Sequence, residues 1–373
     1  MKFKVLRDEL LKNVQIASRA IAAKNPIPVL ANFKLVINEK GLTILSSNNE
    51  LSILTRVPIA SQGKTILSDM EEGGTLVNAK LFADIARKVE GETLSVELFD
   101  GTVVQVSDGR STYKLNSVKV EEYPELDLDR SGVKLDINAK VLKKIVEQTA
   151  FAASTKEQRP IMTAVNLDVG DGKLVATATD SARLSRKEVV IEAPVKFTAN
   201  VPAKALVDVV GLADNEETVT LSTTDKRITF EFGTTTLISR LVGGDYPNTA
   251  NIIPKTTNFA LIANAKELMA AMERVALLSV ERENVIKLSL SETSVEVSSK
   301  SAQVGSAVEA LSHFSFNGDK FEISFNAAYL MEAIRAADAE DIKIGFLGEM
   351  RPFVIKNDKD DSLIQLATPV RTY

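Results

Sequence analysis

The chain of 373 residues contains the same helix-start pattern three times. An apolar residue, a turn residue and a small residue precede an apolar helix position in VNAKLF, VPAKAL and FNAAYL, which are Val77–Phe82, Val201–Leu206 and Phe325–Leu330. The apolar anchors Phe82, Leu206 and Leu330 stand at positions 82, 206 and 330, two equal steps of 124 residues. A pattern repeated at a fixed interval of this length indicates an internal triplication.

A second pattern, a short strand that leads into a helix, opens each copy of the repeat. It covers Phe3–Leu11, Leu135–Lys143 and Ala260–Met269. Each third of the chain therefore holds two strand-helix-strands units, and we predict an α+β fold of three repeated domains. The first two copies close on a Tyr-Pro turn, at Tyr123 and at Tyr246, and the predicted domains are 1–125, 126–253 and 254–373.

The composition is that of a soluble globular protein, with 45% hydrophobic and 25% charged residues. No stretch approaches the roughly 18 consecutive apolar residues of a membrane span. Asp8 and Glu9 interrupt the first apolar stretch, so the N-terminus lacks the pattern of a signal peptide. We expect a cytoplasmic protein.

Residues for catalysis and for metal binding are scarce. Cysteine is absent and histidine occurs once, at His313, which excludes disulfides, thiolate catalysis and cysteine-ligated zinc and leaves no pair of histidines for a metal. Neither glycine-rich phosphate-binding motif occurs. The acidic clusters 338–341 and 358–361 fall where a helix end and a hairpin turn are expected. We predict a protein that is not an enzyme and that needs no metal or cofactor.

Positive charge recurs on the predicted helices although the net charge is −5. Steps of seven or eight residues return a side chain to one helix face, so these cations form stripes opposite the apolar positions. The stripes place Lys12, Lys80, Lys140 and Lys266 on a shared basic surface. Such a surface attracts phosphates without selecting a base sequence.

Several segments, in order and at matching spacing, carry a resemblance over the full length of the chain. They are Met1–Phe3, Pro26–Leu30, Ala178–Leu184, Leu241–Pro247, Phe325–Tyr329 and Pro369–Tyr373. Together with the triplication, they are similar to the bacterial sliding clamps, the beta subunit of DNA polymerase III. The resemblance implies three clamp domains per chain and a head-to-tail homodimer closed into a ring, with helices lining the hole and sheets outside.

The resemblance also implies a function and partners. The ring is a processivity factor that encircles double-stranded DNA irrespective of sequence. It tethers the replicative polymerase through a peptide-binding groove. The clamp loader and repair proteins carry motifs that bind the same groove. The positions that match the groove are Arg159, Met162, Thr179, Ser181, Ala182, Arg183, Leu184, Pro247, Ile252, Asn326, Tyr329, Leu366, Thr368, Pro369, Val370 and Arg371.

The sequence departs from the family pattern at three groove positions. Ser181 and Ala182 stand where many relatives carry Gly-His or Gly-Tyr, and Thr368 stands where an apolar residue is expected. The resemblance adds Lys24, Lys156 and Lys204 to the DNA-facing lysines. It also implies a dimer interface formed by Tyr113 and Leu115 of one copy with Leu277 and Leu278 of the other.

Two other classes of function stay open at this point. A monomeric scaffold would use the groove to bind peptides without encircling DNA, and sedimentation would separate it from a dimer. A hydrolase with only carboxylates would need a converging Asp or Glu pair with shifted pKa values. The sequence offers no such pair.

Overall fold

The computed structural model describes residues 1–279 and 284–371, so Thr372 and Tyr373 of the C-terminal motif lie outside the described residues. Its helices are α1 (Arg7–Ser18), α2 (Ala79–Lys88), α3 (Ala139–Thr149), α4 (Ala203–Leu212), α5 (Ala265–Ala276) and α6 (Ala327–Ala337). All six begin where the two repeated patterns predict them. The α+β fold class and the three repeated domains are confirmed.

The strands follow the same repeat. The first third contains β1 (Lys2–Leu6), β2 (Asn32–Asn38), β3 (Gly41–Ser47), β4 (Leu51–Val57), β5 (Ala60–Ser61), β6 (Lys64–Thr65), β7 (Leu67–Glu71), β8 (Gly73–Asn78), β9 (Thr93–Phe99), β10 (Val103–Ser107) and β11 (Thr112–Val118). The second contains β12 (Val133–Asn138), β13 (Ala164–Gly170), β14 (Lys173–Thr179), β15 (Arg183–Val190), β16 (Phe197–Pro202), β17 (Thr218–Thr223), β18 (Arg227–Phe232) and β19 (Thr235–Arg240). The last contains β20 (Phe259–Asn264), β21 (Val285–Leu290), β22 (Val295–Ser301), β23 (Gly305–Ala310), β24 (Phe314–Asn317), β25 (Phe321–Asn326), β26 (Asp341–Phe346), β27 (Phe353–Asn357) and β28 (Asp360–Ala367).

Each helix starts directly after a strand, and asparagine caps four of these starts, including that of α3, where the Asn138 side chain accepts the Lys140 N–H at 3.0 Å. The Asn78 side chain accepts from the Leu81 N–H, the Asn264 side chain from the Glu267 N–H, and the Asn326 side chain from two N–H groups of α6. A side-chain oxygen at this place satisfies an N–H group that has no partner within the helix. The turn residues Asn78 and Asn326 of the repeated pattern are therefore helix caps.

The chain forms two compact units, and the middle third contributes to both. The first unit comprises Met1–Lys140 and Asp208–Leu241. It contains an antiparallel 13-stranded sheet in the order β12-β17-β18-β19-β4-β3-β2-β8-β11-β10-β9-β1-β7, and β5 and β6 form a ribbon of their own. Buried Phe3, Phe33 and Phe82 lie in its main core, to which α1 and α2 contribute. Within this sheet β4 pairs with β19, with Thr55 opposite Thr235.

The second unit comprises Val141–Val207 and Val242–Tyr373. It contains a nine-stranded sheet in the order β16-β13-β14-β15-β28-β27-β26-β20-β24 and a four-stranded sheet in the order β23-β22-β21-β25. Its core includes Phe325, Phe346 and Phe353, and the Phe353 ring packs against the other two. Here β15 pairs with β28, with Leu184 opposite Leu366. The domain boundaries at residues 125 and 253 stay a prediction.

Within residues 1–279 and 284–371, none of the helices reaches the length and hydropathy that crossing a bilayer requires.

Candidate functional site

The loop from Thr179 to Arg183, between β14 and β15, is fixed by its own side chains. The Asp180 carboxylate accepts N–H groups from Ala182 at 2.9 Å and from Arg183 at 3.0 Å. Thr179 donates its hydroxyl to the Arg183 carbonyl at 2.6 Å and accepts the Ser181 N–H. Ser181 adopts a φ of 81°, a left-handed conformation that glycine takes without a steric penalty. The departure from glycine at this position therefore lies on a strained backbone.

Tyr246 is hydrogen-bonded to this loop. Its hydroxyl accepts the Thr179 N–H at 3.1 Å and lies 3.4 Å from the Ala164 carbonyl, to which it donates. Burial raises the pKa of Tyr246 to about 12, so the phenol keeps its proton at neutral pH. Pro247 follows directly, and the repeated Tyr-Pro turn is thereby anchored to the predicted groove loop.

Arg183 is the most heavily contacted side chain of the site. Its Nε donates to Asp180 Oδ2 at 3.0 Å, and its Nη1 donates to Glu332 of α6. The guanidinium lies 4.5 Å from the Tyr329 ring centroid and 5.6 Å from that of Phe151. Cation–π contacts of this kind hold the guanidinium plane against the rings. The structure thus unites Arg183 with Tyr329 and adds Glu332 and Phe151, which the sequence analysis did not identify.

An apolar cluster lies beside this arginine. Leu184, Val354 and Leu366 are buried together, with Ile253 and Ile364 packed against them. Ile252 is 50% exposed on the same loop. Leu184 and Leu366 are therefore brought together as predicted, while Val354 and Ile253 were missed. Val354 stands opposite Leu366 on the neighbouring strand, so only the strand register could have identified it.

The C-terminal segment is attached to the groove loop by its backbone. The Thr368 N–H and hydroxyl both donate to the Ala182 carbonyl, at 2.8 and 2.9 Å, and the Val370 N–H donates to the Ser324 carbonyl at 2.7 Å. The threonine that departs from the family pattern thus closes a hydrogen bond. Pro369 lies between the two anchors and Arg371 is exposed.

The remaining predicted groove residues border this arrangement. Arg159 is exposed, with its Nη1 3.5 Å from the Ser181 hydroxyl. Met162 is half-buried in a 3-10 turn, and its carbonyl accepts the Ser154 N–H at 2.8 Å. Asn326 caps α6 and thereby sets the start of the helix that carries Tyr329. All sixteen positions predicted for the groove belong to the second unit.

The seven lysines predicted to face DNA form a second group. All are exposed, and none forms an ion pair with a carboxylate in the described part of the chain: Lys12, Lys24, Lys80, Lys140, Lys156, Lys204 and Lys266. Some strand lysines are neutralised, since Lys2 pairs with Glu97 at 3.6 Å and Lys287 with Glu322 at 3.1 Å, while others such as Lys4 and Lys134 are exposed. The seven lysines are distinguished by their recurrence at equivalent places of the repeat, on the helices and on the loops that follow them.

One further lysine belongs with these by its place in the repeat. Lys144 of α3 is exposed and stands 132 residues after Lys12 of α1, the same step that separates Lys24 from Lys156. The spacing alone could have added it to the predicted set.

The predicted interface residues lie on or near strand edges. Among the described residues, Thr112–Asn116 of β11 pair only with β10, and β23 pairs only with β22. Tyr113 is exposed and Leu277 is 75% exposed, while Leu115 and Leu278 are half-buried. Beside the β23 edge, Arg274 holds Glu309 through two hydrogen bonds of 2.9 Å, and this pairing lowers the pKa of Glu309.

Among residues 1–279 and 284–371, no cluster of three His, Asp or Glu side chains is arranged to hold a metal ion.

Comparisons with known proteins cover the whole chain. The family models for the N-terminal, central and C-terminal domains of the DNA polymerase III beta subunit match residues 1–127, 136–248 and 250–371. The beta sliding clamp of Bacillus subtilis is 34% identical over 378 residues, and that of Staphylococcus aureus is 32% identical over 377 residues; both matches cover all of each chain.

Solved structures agree with the sequence relatives. The crystal structure of the DNA polymerase sliding clamp from Bacillus subtilis superposes with a TM-score of 0.95 at 33% identity and full coverage of both chains. The sliding clamp from Pseudomonas aeruginosa, at 23% identity and a TM-score of 0.89 over both full chains, shares the fold. The chain belongs to the family of DNA polymerase III beta subunits, the beta sliding clamps.

Proposed function

We propose that this protein is a DNA sliding clamp, in which two copies close a ring around duplex DNA in the cytoplasm and tether a polymerase to its template. The observation that carries the proposal is a recurring set of exposed lysines on the helices and on the loops that follow them: Lys12, Lys24, Lys80, Lys140, Lys156, Lys204 and Lys266. None of these seven forms an ion pair with a carboxylate in the described part of the chain. Unpaired lysines on repeated helices suit a surface that meets phosphates without reading bases.

The decisive experiment compares retention on circular and on linear DNA. A ring held by topology stays on a closed circle after loading and leaves through the end of a linear molecule. We expect the circular complex to outlast the linear one, and cleavage of the circle to release the protein. Equal loss from both DNAs would contradict encirclement, and sedimentation as a monomer would favour a peptide-binding scaffold.

The dimer proposal follows from the strand edges and from the repeat. Leu51, Arg183 and Gly305 each begin a strand at the same place in the repeat, and the first two stand opposite Ser239 and Ala367. In the β10–β11 hairpin, Leu115 occupies the position that Ser239 occupies in the β18–β19 hairpin and Ala367 in the β27–β28 hairpin. We therefore expect β23 of one copy to pair with β11 of the other, with Gly305 opposite Leu115 and Ala307 opposite Tyr113.

Cysteine cross-linking tests this register directly, because the chain has no cysteine of its own. Directly opposite residues of an antiparallel pair have Cα atoms about 5 Å apart, within the range of a disulfide. Tyr113→Cys with Ala307→Cys should form covalent dimers on mild oxidation. Tyr113→Cys with Val308→Cys is the matched control, since a shift of one residue turns the side chain to the other face. More efficient cross-linking in the control would place the interface in another register.

We also propose that the groove around Arg183 and Leu184 receives a linear motif of partner proteins, such as the polymerase. Apolar walls beside a few fixed polar groups suit leucine and phenylalanine anchors. A peptide of the Gln-x-x-Leu-Phe type should bind the purified protein and displace the polymerase. Binding that survives in a variant with a blocked groove would place the partner site elsewhere.

A further inference from the structure

The charge at the centre of the groove differs from what its arginine suggests. The Arg183 guanidinium lies over the Phe151 ring and over the Tyr329 ring and pairs with two carboxylates, Asp180 and Glu332. Its side chain is only 12% exposed. One cation and two anions leave this cluster with one net negative charge. The Arg183 guanidinium is therefore packed and ion-paired, so it does not offer an open site for an anion.

The two carboxylates do different things. Asp180 also accepts two N–H groups of its own loop, so its charge is part of the local backbone structure. Glu332 comes from α6, its side chain is 39% exposed, and it contacts Arg183 alone among the hydrogen-bond partners described for it. Glu332 is thus the more exposed of the two carboxylates, at 39% against 13% for Asp180, and is the one that a ligand can meet.

A free cation lies on the other side of the loop. Arg159 is exposed and reaches the Ser181 hydroxyl at 3.5 Å, and it has no carboxylate partner in the described part of the chain. The groove therefore has a positive end at Arg159 and a negative end at Glu332. A bound chain meets both, because Ser181 and Arg183 belong to one short loop.

We propose that Glu332 is a specificity-determining residue of the groove. By masking Arg183 it makes the Tyr329 end of the groove reject acidic side chains, so that acidic residues of a bound peptide are accepted only toward Arg159. The partner class is a peptide with apolar anchors and an uncharged residue where it crosses Tyr329. This inference rests on the proposed peptide-binding function and adds the charge pattern of the ligand.

Isosteric peptides measure the effect. Starting from a Gln-x-x-Leu-Phe peptide, each variable position is made Asn or Asp, and affinities are taken from fluorescence anisotropy at low salt. Glu332→Gln should raise the affinity of Asp relative to Asn at one position by about threefold, the size expected for one unit charge at roughly 7 Å in a solvated groove. Added salt should shrink this change.

Two matched variants separate charge from structure. Glu273→Gln removes a carboxylate of α5 that pairs at 3.0 Å with Arg335 of α6, the helix that carries Glu332, and it should leave every Asp-to-Asn ratio unchanged. Glu332→Asp keeps the charge and should keep the wild-type ratios. A merely structural role for Glu332 would weaken Asn and Asp peptides equally, and that result would overturn the proposal.

A measurement without any peptide tests the masking itself. Phenylglyoxal modifies accessible guanidinium groups, and mass spectrometry locates the products. Arg159 should react in the wild-type protein while Arg183 is protected, and Arg183 should react several times faster in Glu332→Gln but not in Glu273→Gln. Failure of the Asn peptide to bind the wild type would overturn the groove proposal together with this one. If the Asn peptide binds but Glu332→Gln leaves the Asp-to-Asn affinity ratios unchanged and Arg183 protected, the specificity proposal alone is overturned.

Discussion

The β4–β19 pair and the β15–β28 pair occupy the same place in successive repeats, and the proposed peptide groove includes residues of the second pair alone. Asn48 accepts N–H groups from Glu50 and Leu51 as Asp180 does from the two residues that follow Ser181. Asn49 has a φ of 76°, next to the 81° of Ser181. The Arg240 N–H donates to the Glu50 carbonyl as the Thr368 N–H does to the Ala182 carbonyl. The loop conformation is therefore common to both junctions, with and without the residues of the proposed groove.

The difference lies in the side chains on this scaffold. Leu51 and Ser52 of β4 correspond to Arg183 and Leu184 of β15, and the partner strands place Ile238 and Leu366 opposite Ser52 and Leu184. After the Tyr-Pro turn, the first copy alternates the acids Glu125, Asp127 and Asp129 with Leu126 and Leu128, which pack against an apolar cluster. The second copy continues to Ile252 and Ile253, and Ile252 is 50% exposed. The exposed residues beside the apolar cluster are thus acidic in the first junction and include an isoleucine in the second.

The helix-facing sides of the two junctions differ as well. Thr55 hydrogen-bonds Asn13 at 2.6 Å and Thr235 at 3.1 Å. The corresponding Lys187 is buried and pairs with Asp360 at 2.8 Å and Ser362 at 2.6 Å. One junction is thus stabilised by neutral hydroxyls and the other by an ion pair, which makes the second more sensitive to loss of a single group.

The largest expected effect is at this ion pair. Asp360→Asn leaves the ammonium of Lys187 buried without a counter-charge and should lower the free energy of unfolding by about 3 kcal/mol, measured by urea titration. Asp358→Asn removes a carboxylate from an exposed pair with Lys343 at 3.3 Å and should cost less than about 0.5 kcal/mol. Equal effects of both changes would show that burial of Lys187 does not matter.

Acid should act on the same pair. Desolvation raises the pKa of Asp360, but hydrogen bonds from Lys187 and Ser362 and the Lys187 charge outweigh it, so the pKa is lowered to about 2. A depressed carboxyl pKa gives stability that is present above the unfolded pKa near 3.8 and is lost as pH falls toward 2. Asp360→Asn should remove about 2 kcal/mol of the stability difference between pH 5 and pH 2.

The next largest effect is expected on peptide affinity, at Ile252 on the rim of the proposed groove. Ile252→Asp places an acidic residue, as found in the first junction, at a half-exposed position and should weaken a Leu-Phe peptide about tenfold while leaving the fold intact. Val190→Asp makes the same change at a 77% exposed position at the other end of β15 and should leave peptide affinity unchanged. Equal loss in both variants would point to a general charge effect.

Much of this comparison could be predicted from the sequence, because the repeat aligns equivalent positions. The helix starts, the Thr179–Leu184 loop and the free lysines all follow from spacing or resemblance. Phe151 and Glu332 could not, since both reach Arg183 from other elements and no periodicity relates them to β15. Ile252 and Ile253 show the same limit: in a loop without alternation, only the fold decides which neighbour packs inward.

A smaller effect is expected at Thr55 of the first junction. Thr55→Val keeps the shape and removes the hydroxyl that links Asn13 and Thr235, which should cost about 1 kcal/mol. Thr65→Val removes an exposed hydroxyl and should be neutral in the same urea titration. A loss as large as that of Asp360→Asn would mean that the two junctions are equally sensitive, contrary to the comparison.

The smallest effect concerns the two left-handed residues, Asn49 and Ser181. Serine pays a steric cost at positive φ that glycine does not, but glycine also gives the unfolded chain more freedom, so Ser181→Gly should stabilise the protein by only about 0.5 kcal/mol. Asparagine visits this conformation more readily, and Asn49→Gly should change stability by less than that, within about 0.2 kcal/mol of zero. Differential scanning calorimetry of both variants measures the contrast. A gain at position 49 that equals the gain at 181 would show that the strain belongs to the shared loop geometry, whereas a gain at 181 alone assigns it to the serine.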